Sequence, residues 1–302
     1  MSAMHARDDV FAAGEPGLAY HAPRDLEEAL ALLARYGEEA KVLAGGQSLL
    51  VFLSQGLIAP AALIGLRRVP GLDGIEERDG GLTIGAMTTQ HALESDPTLR
   101  TRYPALAEAA QAIATPQVRQ RGTLGGNLCH ANPTGDPPAA LIALGASIEI
   151  VNGDGARRVP VQEFFRDYME PALQPDELLT AVHLPPPVGS AYLKHRIRGV
   201  DNAIVGVAAA IALAPDGTCS EARIGLSGAA TTPLRAVAAE AVIRGKPLSD
   251  DTIQPAAEAA AQECDPLDDT EASADYRREM VAVFVRRALA RAAERARQGD
   301  TE

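Results

Sequence analysis

The chain has 302 residues, 46% hydrophobic and 23% charged, with a formal net charge of −12. That length suits one large domain or two ordinary ones and can bury a substantial core. The acidic balance argues against nucleic acid as the main partner, since phosphate backbones need clustered Lys and Arg, and it leaves any anionic ligand to local backbone dipoles.

The N-terminal stretch Met1 to Asp9 is polar and acidic, without the apolar run of a secretory leader. No apolar stretch is long enough to span a bilayer without charge or proline. The first clear element covers residues 25–36, where Leu26, Ala29, Leu30, Leu33 and Tyr36 recur at helical spacing and Gly37 supplies a stop. Lys41-Val42-Leu43 reads as a short buried strand feeding a glycine turn, Ala44-Gly45-Gly46-Gln47-Ser48, and residues 49–53 continue as a helix. Helix, strand and glycine turn in that order indicate an α/β or α+β layer structure.

Residues 62–66 form a further strand candidate, and 75–78 and 82–86 flank the hairpin signal Asp79-Gly80-Gly81. Helical stretches are expected over 89–94 and 103–114, with Pro116 closing the second and leading to another glycine turn, Thr123-Leu124-Gly125-Gly126-Asn127. Pro137-Pro138 then opens an apolar helix through Leu144. Residues 147–151 and the Val159 region flank a second hairpin at Asn152-Gly153-Asp154-Gly155, and 178–184 is the last strand before Pro185-Pro186-Pro187, the best domain boundary in the chain. Beyond it, 191–197, 203–213 and 222–226 read as strands with turns at Gly199 and Pro215-Asp216-Gly217. Helices follow over 234–243, 253–263 and 274–297, the last with Met280, Phe284 and Ala288 stacked at helical spacing beside Val281 and Val285. Strands followed by helices predict a smaller α+β C-terminal domain.

The two glycine turns carry the functional signal. Adjacent glycines permit positive φ and leave no Cβ between backbone and ligand. Successive N–H groups in such a turn point into one concavity, which suits phosphate oxygens. One such turn is ordinary chain reversal; two of the same design suggest one extended diphosphate ligand held from two sides. The segment 119–136 is also consistent with a surface loop whose Asn and Asp residues cap their own turns.

Cys129, Cys219 and Cys264 are widely spaced and form no CxxC pair, which argues against a structural zinc or iron–sulfur site in this chain. Sparse thiols point to a reducing cytoplasm. His130 follows Cys129 but has no second ligand pair beside it. No Ser-His-Asp or paired-carboxylate arrangement stands out, and the GxGxxG pattern of a Rossmann nucleotide domain is absent.

Taken together, the AGGQS and TLGGN turns, Ala114-Thr115-Pro116-Gln117-Val118-Arg119, Pro175-Asp176-Glu177-Leu178-Leu179-Thr180 and the 194–207 stretch resemble the flavoprotein family of the molybdenum hydroxylases. This family comprises the medium, FAD-binding subunits of carbon monoxide dehydrogenase-like and xanthine dehydrogenase-like enzymes. The resemblance spans roughly residues 17–297. It implies an α+β fold: an FAD-binding domain of the PCMH/vanillyl-alcohol-oxidase type over 15–187, with two α/β subdomains, and a sheet-plus-helices domain over 190–297.

The family likeness further implies where FAD sits. The first turn, Val42, Leu43, Ala44, Gly45, Gly46, Gln47, Ser48 and Leu49, would wrap the pyrophosphate and ribityl chain through backbone N–H groups. The second, Thr123, Leu124, Gly125, Gly126 and Asn127, would meet the flavin side and the phosphates. Asp136 matches a position that hydrogen-bonds the cofactor, although by its place it could equally cap the Pro137 helix. Leu179 matches an apolar residue near the ring system, and His130 would be a polar wall of the pocket. Lys194 matches a lysine at the flavin carbonyl edge, where an ammonium stabilises negative charge on reduction; a strand lysine without that context would be solvated.

By the same resemblance, electrons arrive from a [2Fe-2S] small subunit fed by a large molybdenum-cofactor subunit and leave to NAD, oxygen or a quinone. The chain lacks the inserted cysteine cluster that some relatives carry for an additional iron–sulfur centre. Two other readings stay open: a stand-alone flavin-dependent oxidoreductase, for which no local acid or base is evident, and a nucleotide-binding assembly subunit without a redox role.

Overall fold

In the computed structural model, which describes residues 17–199 and 202–299, the first helix is Leu26–Tyr36. Asp25 caps it by accepting the Glu28 N–H at 2.8 Å, and Gly37, at φ 53°, ends it. Its Ala29 and Leu33 pack on Ala40, Ala62 and Ile64 of an all-parallel three-stranded sheet. The strands stand in the order Ala19–His21, Ala62–Gly65, Ala40–Leu43. The N-terminal polar stretch, the first residues of the 15–187 domain, and Val200 and Asp201 of the 194–207 motif lie outside the described residues.

A five-stranded antiparallel sheet follows, in the order Ile75–Arg78, Gly81–Gly85, Leu178–Leu184, Ser147–Asn152, Gly155–Pro160. Its central strand comes from the far end of the domain, so the helices of residues 90–143 are inserted between neighbouring strands. Leu93, Leu106, Leu124, Leu128 and Leu141 from these helices share one core with Ile84, Ile148 and Val182 of the sheet.

The third sheet is antiparallel: Gly189–His195, Val205–Leu213, Cys219–Ser227, Leu234–Arg235. Alternation along Val205–Leu213 divides its residues between two faces. Val205, Val207, Ala209 and Ile211 pack with Ile253, Ala257, Val281, Val285 and Leu289 of helices Asp250–Glu263 and Ala274–Gly299. Ala208 and Ala210, with Tyr192, meet Ala105, Ala109, Ala139 and Ala143 of the amino-terminal part of the chain. Small residues on both sides let helix Asp136–Ala143 come close, and a Cβ on Gly225 would overlap the Ala139 carbonyl oxygen. The two domains are thus joined by a buried, alanine-lined seam. The α+β class expected from the sequence holds, and among the described residues no helix is long and apolar enough to cross a membrane.

Four local expectations are corrected. The 103–114 stretch is helical only over Pro104–Gln111, with Tyr103 fully buried ahead of it. Pro116 opens a short helix, Pro116–Arg119, capped by Thr115, because a ring without an N–H is best placed in a first turn. Leu234 and Arg235 pair with Leu226 and Gly225 as a strand, and the helix begins at Val237. The second glycine segment is not a turn: Leu124–His130 is helical from its first residue, with Thr123 as N-cap.

Candidate cofactor site

The first glycine segment leaves the sheet at Leu43 and re-enters order at helix Leu49–Ser54. All of Val42 to Leu49 is partly exposed. Gly46 has φ +75°, a conformation that only glycine adopts without strain. The N–H groups of Gly45, Gly46, Gln47 and Ser48 donate to no acceptor among the described residues. Four consecutive donors without an acceptor are what an anion-binding turn of the expected kind requires.

The second segment comes directly against the first. A Cβ on Gly45 would overlap the Arg121 carbonyl oxygen, and one on Gly126 would lie 3.5 Å from the Ala44 methyl. Phe52 and His130 meet edge to face, with centroids 5.5 Å apart, and link the two short helices. Burial lowers the His130 pKa below its ordinary value, which favours the neutral ring.

Its backbone chemistry differs from expectation. The N–H groups of Leu124, Gly125, Gly126 and Asn127 are already bound, to Thr88 O, Ala86 O, Thr123 Oγ1 and Thr123 O respectively. Gly125 is needed for packing, since a Cβ there would sit 2.7 Å from the Ala86 methyl. Leu124 and Leu179 are buried in the same core cluster, within the second sheet's packing. What this segment leaves open is a side chain: Asn127 Oδ1 is buried without a partner. Gln90 Oε1 is likewise unpartnered, while the Gln90 amide nitrogen donates to Thr123 O at 3.1 Å.

Asp136 is the first residue of its helix, with Gly135 rather than Asp136 as the cap. Its carboxylate turns away from the helix end. Lys194 Nζ lies 2.9 Å from Oδ2, and the Tyr192 hydroxyl donates to Oδ1 at 2.5 Å. Only 5% and 6% of the Lys194 and Asp136 side chains are exposed, so this is a buried ion pair. Burial pushes the Asp136 carboxyl above its ordinary value against the opposing pull of Lys194 and Tyr192, and it also drives the Tyr192 hydroxyl well up.

Lys194 Nζ also donates to Ala112 O at 3.1 Å, and Arg196 reaches the same carbonyl at 3.3 Å. Arg119 holds the next carbonyl, Ile113 O, at 2.9 Å and pairs with Glu94. Directly after these clamped carbonyls Ala114 takes φ +36°, an uncommon conformation for a residue with a Cβ. Lys194, Arg196, Ala112, Ala114 and Arg119 line one cleft of roughly 540 Å³.

Glu108, on helix Pro104–Gln111, accepts the Tyr192 N–H at 2.8 Å and pairs with Arg291 and Arg295 at 2.8 and 2.7 Å. Sequence reasoning missed Tyr192 and Glu108. Tyr192 had a usable signal, because it stands two residues from Lys194 on one strand and therefore on its face. Glu108 had none, since its partners lie far along the chain.

The chain matches the model of the FAD binding domain in molybdopterin dehydrogenase over residues 13–187. It matches the CO dehydrogenase flavoprotein C-terminal domain over 190–292. It is 38% identical to the carbon monoxide dehydrogenase medium chain of Afipia carboxidovorans, over 92% of this chain and 97% of that one. The similarity to the 6-hydroxypseudooxynicotine dehydrogenase complex subunit alpha of Paenarthrobacter nicotinovorans is also 38%, over 93% and 96%. Among solved structures, a carbon monoxide dehydrogenase chain from Hydrogenophaga pseudoflava superposes with a TM-score of 0.89 at 40% identity, covering 93% of this chain and 99% of that one. With both domain models matched in order, and relatives similar along nearly their whole length, the chain belongs to the FAD-binding medium-subunit family of the molybdenum hydroxylases.

Proposed function

We propose that this chain is the FAD-carrying electron-transfer subunit of a molybdenum-containing dehydrogenase complex. The observation that carries the reading is the run of free amide donors at Gly45 to Ser48, set directly against a segment whose Asn127 holds a buried, unpartnered oxygen. That donor set fits a diphosphate and a polar ribityl or ring edge, in a chain whose net charge of −12 offers anions nothing at long range. When bound, the flavin supplies the redox chemistry, and the protein supplies binding, orientation and electrostatics.

In this reading the amides of Gly45, Gly46, Gln47 and Ser48 bind the pyrophosphate, Val42, Leu43, Ala44 and Leu49 flank them, and Thr123, Gly126 and Asn127 close the other side. Leu124, Gly125 and Leu179 act from behind, by setting the distance between the segments. Lys194 places positive charge at the cleft, and Asp136 keeps that lysine in position. The domain division is 15–187 and 190–297. The partners are an iron–sulfur small subunit and a molybdenum-cofactor large subunit in the cytoplasm, with NAD, oxygen or a quinone as final acceptor. Support for an assembly comes from relatives named as chains or subunits of dehydrogenases.

Purification with the neighbouring reading frames tests the proposal. A yellow protein that bleaches with dithionite and carries iron and molybdenum in its companion chains is expected. A colourless protein that takes up no FAD would overturn it, and a fully active yellow protein without companions would favour the stand-alone oxidoreductase.

A further inference from the structure

Lys194 has three N–H donors, and two are occupied, by Asp136 Oδ2 at 2.9 Å and Ala112 O at 3.1 Å. Asp136 divides its carboxylate between Lys194 and the Tyr192 hydroxyl. Tyr192 is fixed from several sides. Its N–H donates to Glu108 Oε2 at 2.8 Å, and its ring packs among the alanines of the domain seam. Its hydroxyl has room only because residue 206 is glycine, where a Cβ would overlap it. A phenylalanine would fill almost the same volume without burying a hydroxyl, so packing alone does not account for the oxygen.

We infer that Tyr192 is a positioning residue: by holding Asp136 Oδ1 it aims Oδ2 at Lys194, and so leaves the third ammonium hydrogen of Lys194 for an acceptor atom in the cleft. Tyr192 and Lys194 communicate through the shared carboxylate. The identity of that acceptor atom, on the flavin, rests on the function proposed above; the coupling between Tyr192 and Lys194 does not.

The test is a double-mutant cycle in the full-length chain with Tyr192→Phe, Lys194→Met and the double variant, read in two ways. In the cofactor-stripped protein, the double variant is expected to lose no more Tm than Lys194→Met alone. In the FAD-loaded protein, Tyr192→Phe is expected to lower the flavin midpoint potential in the same direction as Lys194→Met but by less, and to add nothing in the Lys194→Met background. Additive Tm losses overturn the inference, as does a midpoint that Lys194→Met moves and Tyr192→Phe does not. If the wild-type chain takes up no FAD, the Tm cycle still decides the coupling, and only the flavin reading falls. Should Lys194→Met fail to accumulate, Asp136→Asn takes its place with the same expectation.

Discussion

Gly45 faces the main chain of Arg121 so closely that a single added methyl would overlap the Arg121 carbonyl oxygen. The lack of a side chain at the first glycine of the AGGQS segment is therefore set by chain-to-chain approach, while its amide stays open beside those of its neighbours. Gly45→Ala is expected to cost on the order of 1–3 kcal/mol, as an overpacked contact does, and to lower bound FAD as the segments separate. Urea unfolding and the flavin-to-protein absorbance ratio check this; a variant unchanged in both would show that the contact is slack.

Gly46 presents the opposite case. Its φ of +75° is unfavourable for any other residue, and the free amides of Gly45, Gln47 and Ser48 surround it. Gly46→Asp adds strain, bulk and a negative charge where a diphosphate would bind, and is expected to abolish FAD retention. Normal flavin content after gel filtration of this variant would refute the assignment of the first segment.

Arg157 and Glu177 form a two-point ion pair, with Nε and Nη2 each 2.7 Å from a carboxylate oxygen. The Arg157 hydrogen bonds hold the Glu177 carboxyl below its ordinary value of 4.5, helped by the Gln174 N–H. A depressed folded-state value means that the pair stabilises the protein above pH 4.5, and that this contribution is lost as pH falls through the lower folded value. Glu177→Gln is expected to lose roughly 1–3 kcal/mol near neutral pH. The gap to the wild type should close on acidification, so denaturation curves that stay equally separated from pH 7 to pH 3.5 would contradict the pairing.

Burial pushes the Cys129 and Cys264 thiols up to about 12, and raises Cys219 as well. Thiolate is the reactive form, so the native chain is expected to react slowly with a disulfide reagent at pH 8 and to titrate three thiols only in denaturant. Rapid release from the folded protein would place at least one thiol in a more open setting.

Local signals made much of this fold legible. Asp25 and Gly37 bracket a helix, Asp79-Gly80-Gly81 turns a hairpin, and Ser147 to Val151 alternate as a strand should. The second glycine segment was legible in position but not in conformation. Leu124-Gly125-Gly126 contains two poor helix formers, yet the Thr123 cap and the acceptors Ala86 O and Thr88 O hold it helical, and those acceptors lie far back along the chain, just past strand Gly81–Gly85. Asp136 was legible as polar at a helix start, but its partners Tyr192 and Lys194 come from the other domain. Pairings of that kind leave no periodic trace in one sequence.

Glu108 draws a strand and the long C-terminal helix onto helix Pro104–Gln111, which ends next to the carbonyl that Lys194 grips. One wall of the cleft is therefore built jointly by residues on either side of the proline run. Cleaving the polypeptide at Pro185-Pro186-Pro187 would yield an amino-terminal fragment that keeps its glycine motifs yet lacks its lysine, an incomplete receptacle in place of an autonomous module.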